Sequence, residues 1–229
     1  YMETGAFVVA REACVKEHTR IGEKISVFEV DERESIDIDS VGDWVLSESL
    51  MRRKKILFRV DGYVKLGLGH IYNCITLALS MVEHDVLLVT REDAEPGIKK
   101  IKETNLPYRT FQKETDLKDI IQDFQPDVWV NDCLNTSKEY IEWLKTKVPR
   151  VVTIEDLGEG TKAADAVVNA LYDENEPRQN VYSGYQYVCL RDEFQVEQPK
   201  KFSSTVKNII VMFGGTDPSN LNRLVYDAI

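Results

Sequence analysis

Hydrophobic positions in this chain fall into short, nearly continuous runs that alternate with stretches of helical periodicity. The sharpest case is 55–80, KILFRVDGYVKLGLGHIYNCITLALS. Ile56, Leu57, Phe58 and Val60 read as a strand, Asp61-Gly62 as a turn, and Gly67-Leu68-Gly69-His70 as a loop opening into a helix. That helix is apolar at Ile71, Cys74, Ile75, Leu77, Ala78, Leu79, Met81 and Val82, a stripe too broad for a surface helix, which predicts packing against a sheet. The alternation continues with strands at 85–90, 108–111, 128–131 and 151–154, helices around 97–104, 117–124 and 138–147, and short strand runs at 166–168 and 187–190. Strands apolar on both faces predict a parallel sheet covered on both sides.

The flanks read differently. Within 1–51 the pattern predicts short strands at 6–10 and 24–30, a turn or short helix at 11–18, an acidic segment at 32–43 and a helix at 44–51, a collection with no core of its own. Arg52-Arg53-Lys54-Lys55 forms a basic junction. After Glu197-Gln198-Pro199-Lys200-Lys201, a linker by composition, an apolar strand is expected at 207–212, an exit loop at Gly214-Gly215 and the beginning of a helix within 219–229. The expected organisation is an appendage at 1–51, a sheet domain at 55–200 and the start of a second, truncated domain at 205–229.

Charge and cysteine usage narrow the function. Lys+Arg 29 against Asp+Glu 39 gives a net charge of -10 over 229 residues, which argues against broad attraction to nucleic acid or to an anionic membrane while leaving a local phosphate site open. The four cysteines, Cys14, Cys74, Cys133 and Cys189, are far apart and lack paired metal spacing. Reduced thiols in a cytoplasmic protein account for them. The sequence has no apolar run of membrane-spanning length and no secretory signal, so a cytoplasmic location is expected.

Chemistry-bearing residues gather where strands end. Gly67 and Gly69 let a ligand oxygen approach the backbone, and the following helix dipole favours an anion beside His70; the same residues also suit a plain tight turn ending in a surface histidine. Arg59 and Asp61, Asn131 and Asp132, and Glu155 and Asp156 recur at the carboxyl ends of three strands. They read either as one arc of a cleft or as separate loop carboxylates and caps. In Ser35-Ile36-Asp37-Ile38-Asp39-Ser40 the alternation puts Asp37 and Asp39 on one side. That arrangement suits a hard divalent ion on a triphosphate, or a solvated acidic edge.

Two resemblances add to this reading. Glu3-Thr4-Gly5-Ala6-Phe7, Arg20-Ile21-Gly22, Phe28-Glu29-Val30, and Glu34 to Asp39 followed by Asp43-Trp44 resemble the carboxyl-terminal segment of CMP-sialic and CMP-pseudaminic acid cytidylyltransferases. This resemblance implies Mg2+ held by Asp37 and Asp39 in a complete cytidylyltransferase, and a homodimer formed through this segment. It also implies that this piece is catalytically incomplete, because the CTP-binding sheet of that family is missing.

Phe58-Arg59-Val60-Asp61, Gly67-Leu68-Gly69-His70, Cys74, Glu155-Asp156, 164–169, Leu190-Arg191-Asp192-Glu193-Phe194, and Met212-Phe213-Gly214-Gly215-Thr216-Asp217-Pro218 resemble the UDP-sugar hydrolase of pseudaminic acid synthesis and its spore-coat polysaccharide relatives. The implied fold is α/β, a Rossmann-like parallel sheet domain of glycosyltransferase B type whose nucleotide-binding second domain continues past Ile229. The implied reaction is attack by water, with His70 as base, on a UDP-linked amino sugar, with no cofactor. Arg59, Asp61, Gly67, Gly69, Asn73, Asn131, Asp132, Glu155, Asp156, Gly214 and Gly215 are the candidate substrate-binding residues. Asn73 stands where relatives often have arginine. A glycosyltransferase of surface polysaccharide synthesis and a degenerate sugar-nucleotide binding module are the alternatives.

Overall fold

The computed structural model describes residues 7–16, 24–31, 34–63, 67–171, 178–198, 201–202, 204–214, 217 and 219–228. The chain divides into two compact units, Tyr1–Arg53 and Lys54–Ile229.

In the first unit α1 spans Glu12–Lys16 and α2 spans Val41–Arg52. A reciprocal cap starts α2: Asp43 N donates to Ser40 Oγ at 3.2 Å, and Ser40 N donates to Asp43 Oδ2 at 2.8 Å. Two otherwise unpaired amides are thereby satisfied, which sets the start of the helix at Val41 rather than at 44. No described residue of this unit is buried. The strands expected at 6–10 and 24–30 are absent from their described residues, and Phe7 and Phe28 meet instead as tilted rings 5.6 Å apart. Apolar alternation makes a strand only where a neighbouring strand takes up its amides and carbonyls. Glu3 to Ala6 and Arg20 to Gly22 lie outside the described residues.

The second unit follows the predicted alternation closely. In chain order it runs β1 Lys55–Val60, α3 Gly69–Ser80, β2 Asp85–Arg91, α4 Glu95–Lys102, β3 Tyr108–Phe111, α5 Leu117–Phe124, β4 Val128–Asp132, α6 Lys138–Lys145, β5 Arg150–Ile154, β6 Ala166–Asn169 and β7 Val181–Ser183. The strands form one parallel sheet in the order β3-β2-β1-β4-β5-β6-β7. This is an α/β Rossmann-like domain, and the strand order reverses between β1 and β4, where such sheets bind ligands.

Right-handed crossovers put helices reached by leftward and rightward steps on opposite faces. One buried cluster joins Ile71, Cys74, Ile75 and Ala78 of α3 and Ile101 of α4 to Phe58, Val60 and Leu88. The other joins Leu117, Ile120 and Ile121 of α5 and Ile141 and Leu144 of α6 to Leu57, Val89, Trp129 and Val151. The α3 face over β4, β5 and β6 thus receives no connecting helix. Val130 and Ile154 are buried there, while Val128 and Val152 are half-buried.

Two strand expectations fail near the carboxyl end. The seventh strand is Val181–Ser183, and 187–190 leaves a 3-10 turn, Tyr185–Tyr187, without joining the sheet. Residues 207–212 form no strand, and Ile210 is 88% exposed. No described strand lies alongside them, so their hydrophobicity has no ladder to enter. Beyond the sheet, α7 spans Asp192–Val196 and α8 spans Leu221–Tyr226.

Close backbone approach fixes the loop after β1. Gly97 N donates to Gly62 O at 3.2 Å, and a Cβ on Gly62 would lie 2.5 Å from Ile71 Cγ1 and 3.0 Å from Gly97 Cα. Gly62→Ala is therefore expected to destabilise the domain by about 1–3 kcal/mol in urea unfolding, since both neighbours must shift. Gly69→Ala, where a Cβ meets nothing within 4 Å, serves as the control and should leave the midpoint unchanged or slightly raised. Equal midpoints for the two variants would contradict this packing.

Candidate active site

The site is built at the carboxyl ends of the paired strands β1 and β4. Gly67 takes φ +86, a left-handed conformation suited to glycine, and its N–H closes the loop onto Tyr63 O at 2.8 Å. No side chain caps α3 at Leu68, which leaves its first-turn amides available to a ligand. His70, on the first turn, meets Asp132 at the end of β4, with Nδ1 2.6 Å from Oδ1. Cys74, one turn later, donates from Sγ to Asp132 Oδ2 at 3.4 Å. Both oxygens of a fully buried carboxylate are thus engaged. With Nδ1–H donating to Asp132, the Nε2 lone pair of neutral His70 is left to accept a proton, and the side chain is 15% exposed.

Electrostatics follow from that contact. The hydrogen bond to Asp132 raises the His70 pKa above its ordinary value; burial opposes this, and the charges of Asp132, Glu155 and Asp61 reinforce it. Burial pushes the Asp132 carboxyl up, and its bonds to His70 and Cys74 pull it back. Burial and the Asp132 charge hold the Cys74 thiol protonated, so it serves as a donor. All four cysteines are free.

The other predicted residues separate into different places. Arg59 and Asn131 have the opposite strand parity to Asp132 and project toward α5 and α6. The buried Arg59 guanidinium bonds Asp61 Oδ2 at 2.7 Å and Glu114 at 3.1 Å, contacts Cys133 Sγ and lies 5.3 Å from the Phe111 ring centroid. Asn131 is fully buried and accepts from Tyr140 Oη at 3.3 Å. Both therefore brace the sheet from behind and do not converge on His70. Asp156 is also buried: Oδ1 accepts from Thr136 N at 3.0 Å and from Gly158 N at 2.9 Å, while Oδ2 takes the Thr136 hydroxyl. Its carboxylate clamps two loops together, a role that only the placement of Thr136 reveals.

Glu155 is different. Its backbone has φ +51, Oε1 accepts from Ala170 N at 2.8 Å, and Oε2 has no hydrogen-bond partner among the described residues. Asn73 lies one turn after His70, and its carbonyl accepts from Cys189 Sγ at 3.6 Å. Both line a trough of about 520 Å³ between α3, residues 186–189 and the uncovered strands. Strand periodicity alone did not disclose this trough, because each valine on its floor reads as ordinary core.

Gly214, at φ +70, lies on an exposed segment, and Gly215 falls outside the described residues. Asp37 and Asp39 are exposed in the first unit. Among the described residues no three His, Cys, Asp or Glu side chains converge as metal ligands. Two carboxylates fill only part of a magnesium shell, so phosphate oxygens and water would have to complete it.

No family model matches the chain. An uncharacterized protein of Methanocaldococcus jannaschii is 28% identical over 192 residues, covering 76% of this chain and 40% of that protein. The chain thus spans less than half the length of that relative. Among solved structures, Acinetobacter baumannii MurG is similar with a TM-score of 0.43 and 10% identity, covering 56% of this chain and 44% of that chain. A glycosyltransferase from Rickettsia africae ESF-5 is similar with a TM-score of 0.43 and 10% identity, covering 58% and 42%. Among the described residues no helix is long and apolar enough to cross a membrane.

Proposed function

We propose that the protein acts on nucleoside-diphosphate sugars, with His70 as the base that takes a proton from the oxygen nucleophile attacking the anomeric carbon. The observation that carries this reading is the 2.6 Å contact between His70 Nδ1 and buried Asp132. It orients the imidazole, leaves Nε2 as the acceptor and stabilises the imidazolium as it forms. The nucleophile loses its proton to Nε2, its oxygen bonds the anomeric carbon, and the bond from that carbon to the diphosphate oxygen breaks. UDP leaves as an anion.

Asp132, Asp61 and Glu155 all act on His70 with negative charge, so groups other than these side chains must hold the diphosphate. The open first-turn amides of α3 and the Gly214-Gly215 segment are the candidates to hold it. Asn73 adds a neutral amide where the resembled enzymes often carry a cation. Transfer to an acceptor hydroxyl is the first reading, because the trough beside Asn73 and Glu155 has room for an acceptor that presents its hydroxyl on an apolar body. Hydrolysis in pseudaminate-type synthesis is the second, favoured by the Gly67 to His70 and Met212 to Pro218 motifs. Magnesium bound through Asp37 and Asp39 belongs to the cytidylyltransferase resemblance and enters no step here.

Incubating the natural-length protein with UDP-linked amino sugars in oxygen-18 water, with and without acceptors that carry a hydroxyl on an apolar chain, tests the proposal. Transfer yields unlabelled glycosylated acceptor, and hydrolysis puts the label on the free sugar. Label in UDP, or no turnover across the panel, would overturn the assignment of His70.

A further inference from the structure

We propose that the trough between α3 and residues 186–189 binds an amphiphilic molecule with an apolar body and one hydroxyl or amino group at its end, held by Glu155 Oε2. Three observations lead there. First, chain topology leaves this face uncovered, so Val128, Val130, Val152, Ile154 and Val168 present an apolar floor to the cavity. Second, its volume of about 520 Å³ falls within the range of small-molecule sites, roughly 300–1,000 Å³. Third, Glu155 is only 5% exposed and lines this cavity, yet Oε2 lacks a partner among the described residues. A buried carboxylate oxygen without a donor is costly, and here it sits on a glutamate whose backbone holds φ +51.

The wall does not supply the missing donor. Gln186 Nε2 turns one N–H to Ser183 O at 3.1 Å, and no side chain of the described wall reaches Glu155 Oε2. The ligand must bring an N–H or O–H, and a carboxylate or phosphate head would meet repulsion from Glu155. The apolar floor in turn excludes a densely hydroxylated body. Asn73, one turn after His70 on α3, lines the same trough as Glu155, so the cavity extends along the helix that carries His70. The site is argued from cavity and carboxylate alone and does not rest on the sugar chemistry proposed above.

Calorimetric titration of the natural-length protein with octylamine, 1-octanol and octanoate tests this without turnover, so its outcome is independent of the fate of His70 as base. Octylamine and octanol are expected to bind, with octanoate at least about tenfold weaker. Glu155→Gln, which keeps the side-chain shape, should weaken octylamine by about tenfold or more and narrow its advantage over octanoate. Val152→Trp, filling the floor, should abolish binding of both. Equal affinity for octylamine and octanoate, no binding to wild type, or unchanged octylamine affinity in a folded Glu155→Gln protein would overturn the proposal.

Discussion

Replacing His70 with glutamine is expected to lower kcat of the natural-length protein by about 10²–10⁴-fold while leaving sugar-nucleotide affinity near that of wild type. Glutamine can keep an N–H near Asp132, but its amide does not accept a proton at neutral pH. The loss should therefore appear in the chemical step rather than in binding. His70→Asn should be equally inactive and less stable, by on the order of 1–3 kcal/mol, because the shorter amide strands one oxygen of the buried Asp132 carboxylate. Circular dichroism and urea unfolding separate the two effects. Wild-type turnover by a folded His70→Gln protein would remove His70 from the mechanism.

Asp132→Asn is expected to shift the pH profile as well as the rate. In wild type the Asp132 hydrogen bond raises the His70 pKa, so the acid limb of kcat/KM should lie above about 6.5, the ordinary histidine value. Without the carboxylate charge and its hydrogen bond, the largest influence raising the His70 pKa is gone and the limb should move down. The rate should drop by about 10² or more, because asparagine no longer fixes the Nδ1–H tautomer or stabilises imidazolium. Stability runs in the opposite direction. A histidine whose folded pKa is raised contributes stability that is complete below about 6.5 and is lost as pH rises through the folded value. Urea midpoints measured from acid to alkaline pH should lose this component over the same interval in which activity appears. An acid limb left in place by Asp132→Asn would show that another group controls the proton.

The sheet was legible because its strands carry information locally. Five short apolar runs, the first four each followed by a helical period, predict parallel strands and helices in order, and β1, β3 and α5 begin and end close to where the pattern puts them. The same reasoning fails at 24–30, 187–190 and 207–212. There the apolar residues are real, but a ladder needs a neighbour, and a neighbour is a property of topology. Glycine spacing likewise pointed to the loop before His70, while Gly97, distant in sequence, is what lets α4 approach Gly62.

Candidate chemistry divides along the same line. The residues alone bring His70 to the entrance of a helix and place carboxylates or amides at three strand ends, because those positions follow from period and turn chemistry. Which of them meet was decided by strand order and side-chain parity. Reversal of the order between β1 and β4 brings Asp132, 62 positions away in sequence, to 2.6 Å from His70. A shift of one residue along β4 sends Asn131 through to the opposite face, and one residue along from Glu155, Asp156 is consumed by Thr136. The trough is wholly tertiary. Right-handed crossovers cover one half of the α3 face and leave the other open, and no local pattern in Val128, Val152 or Glu155 records which half that is.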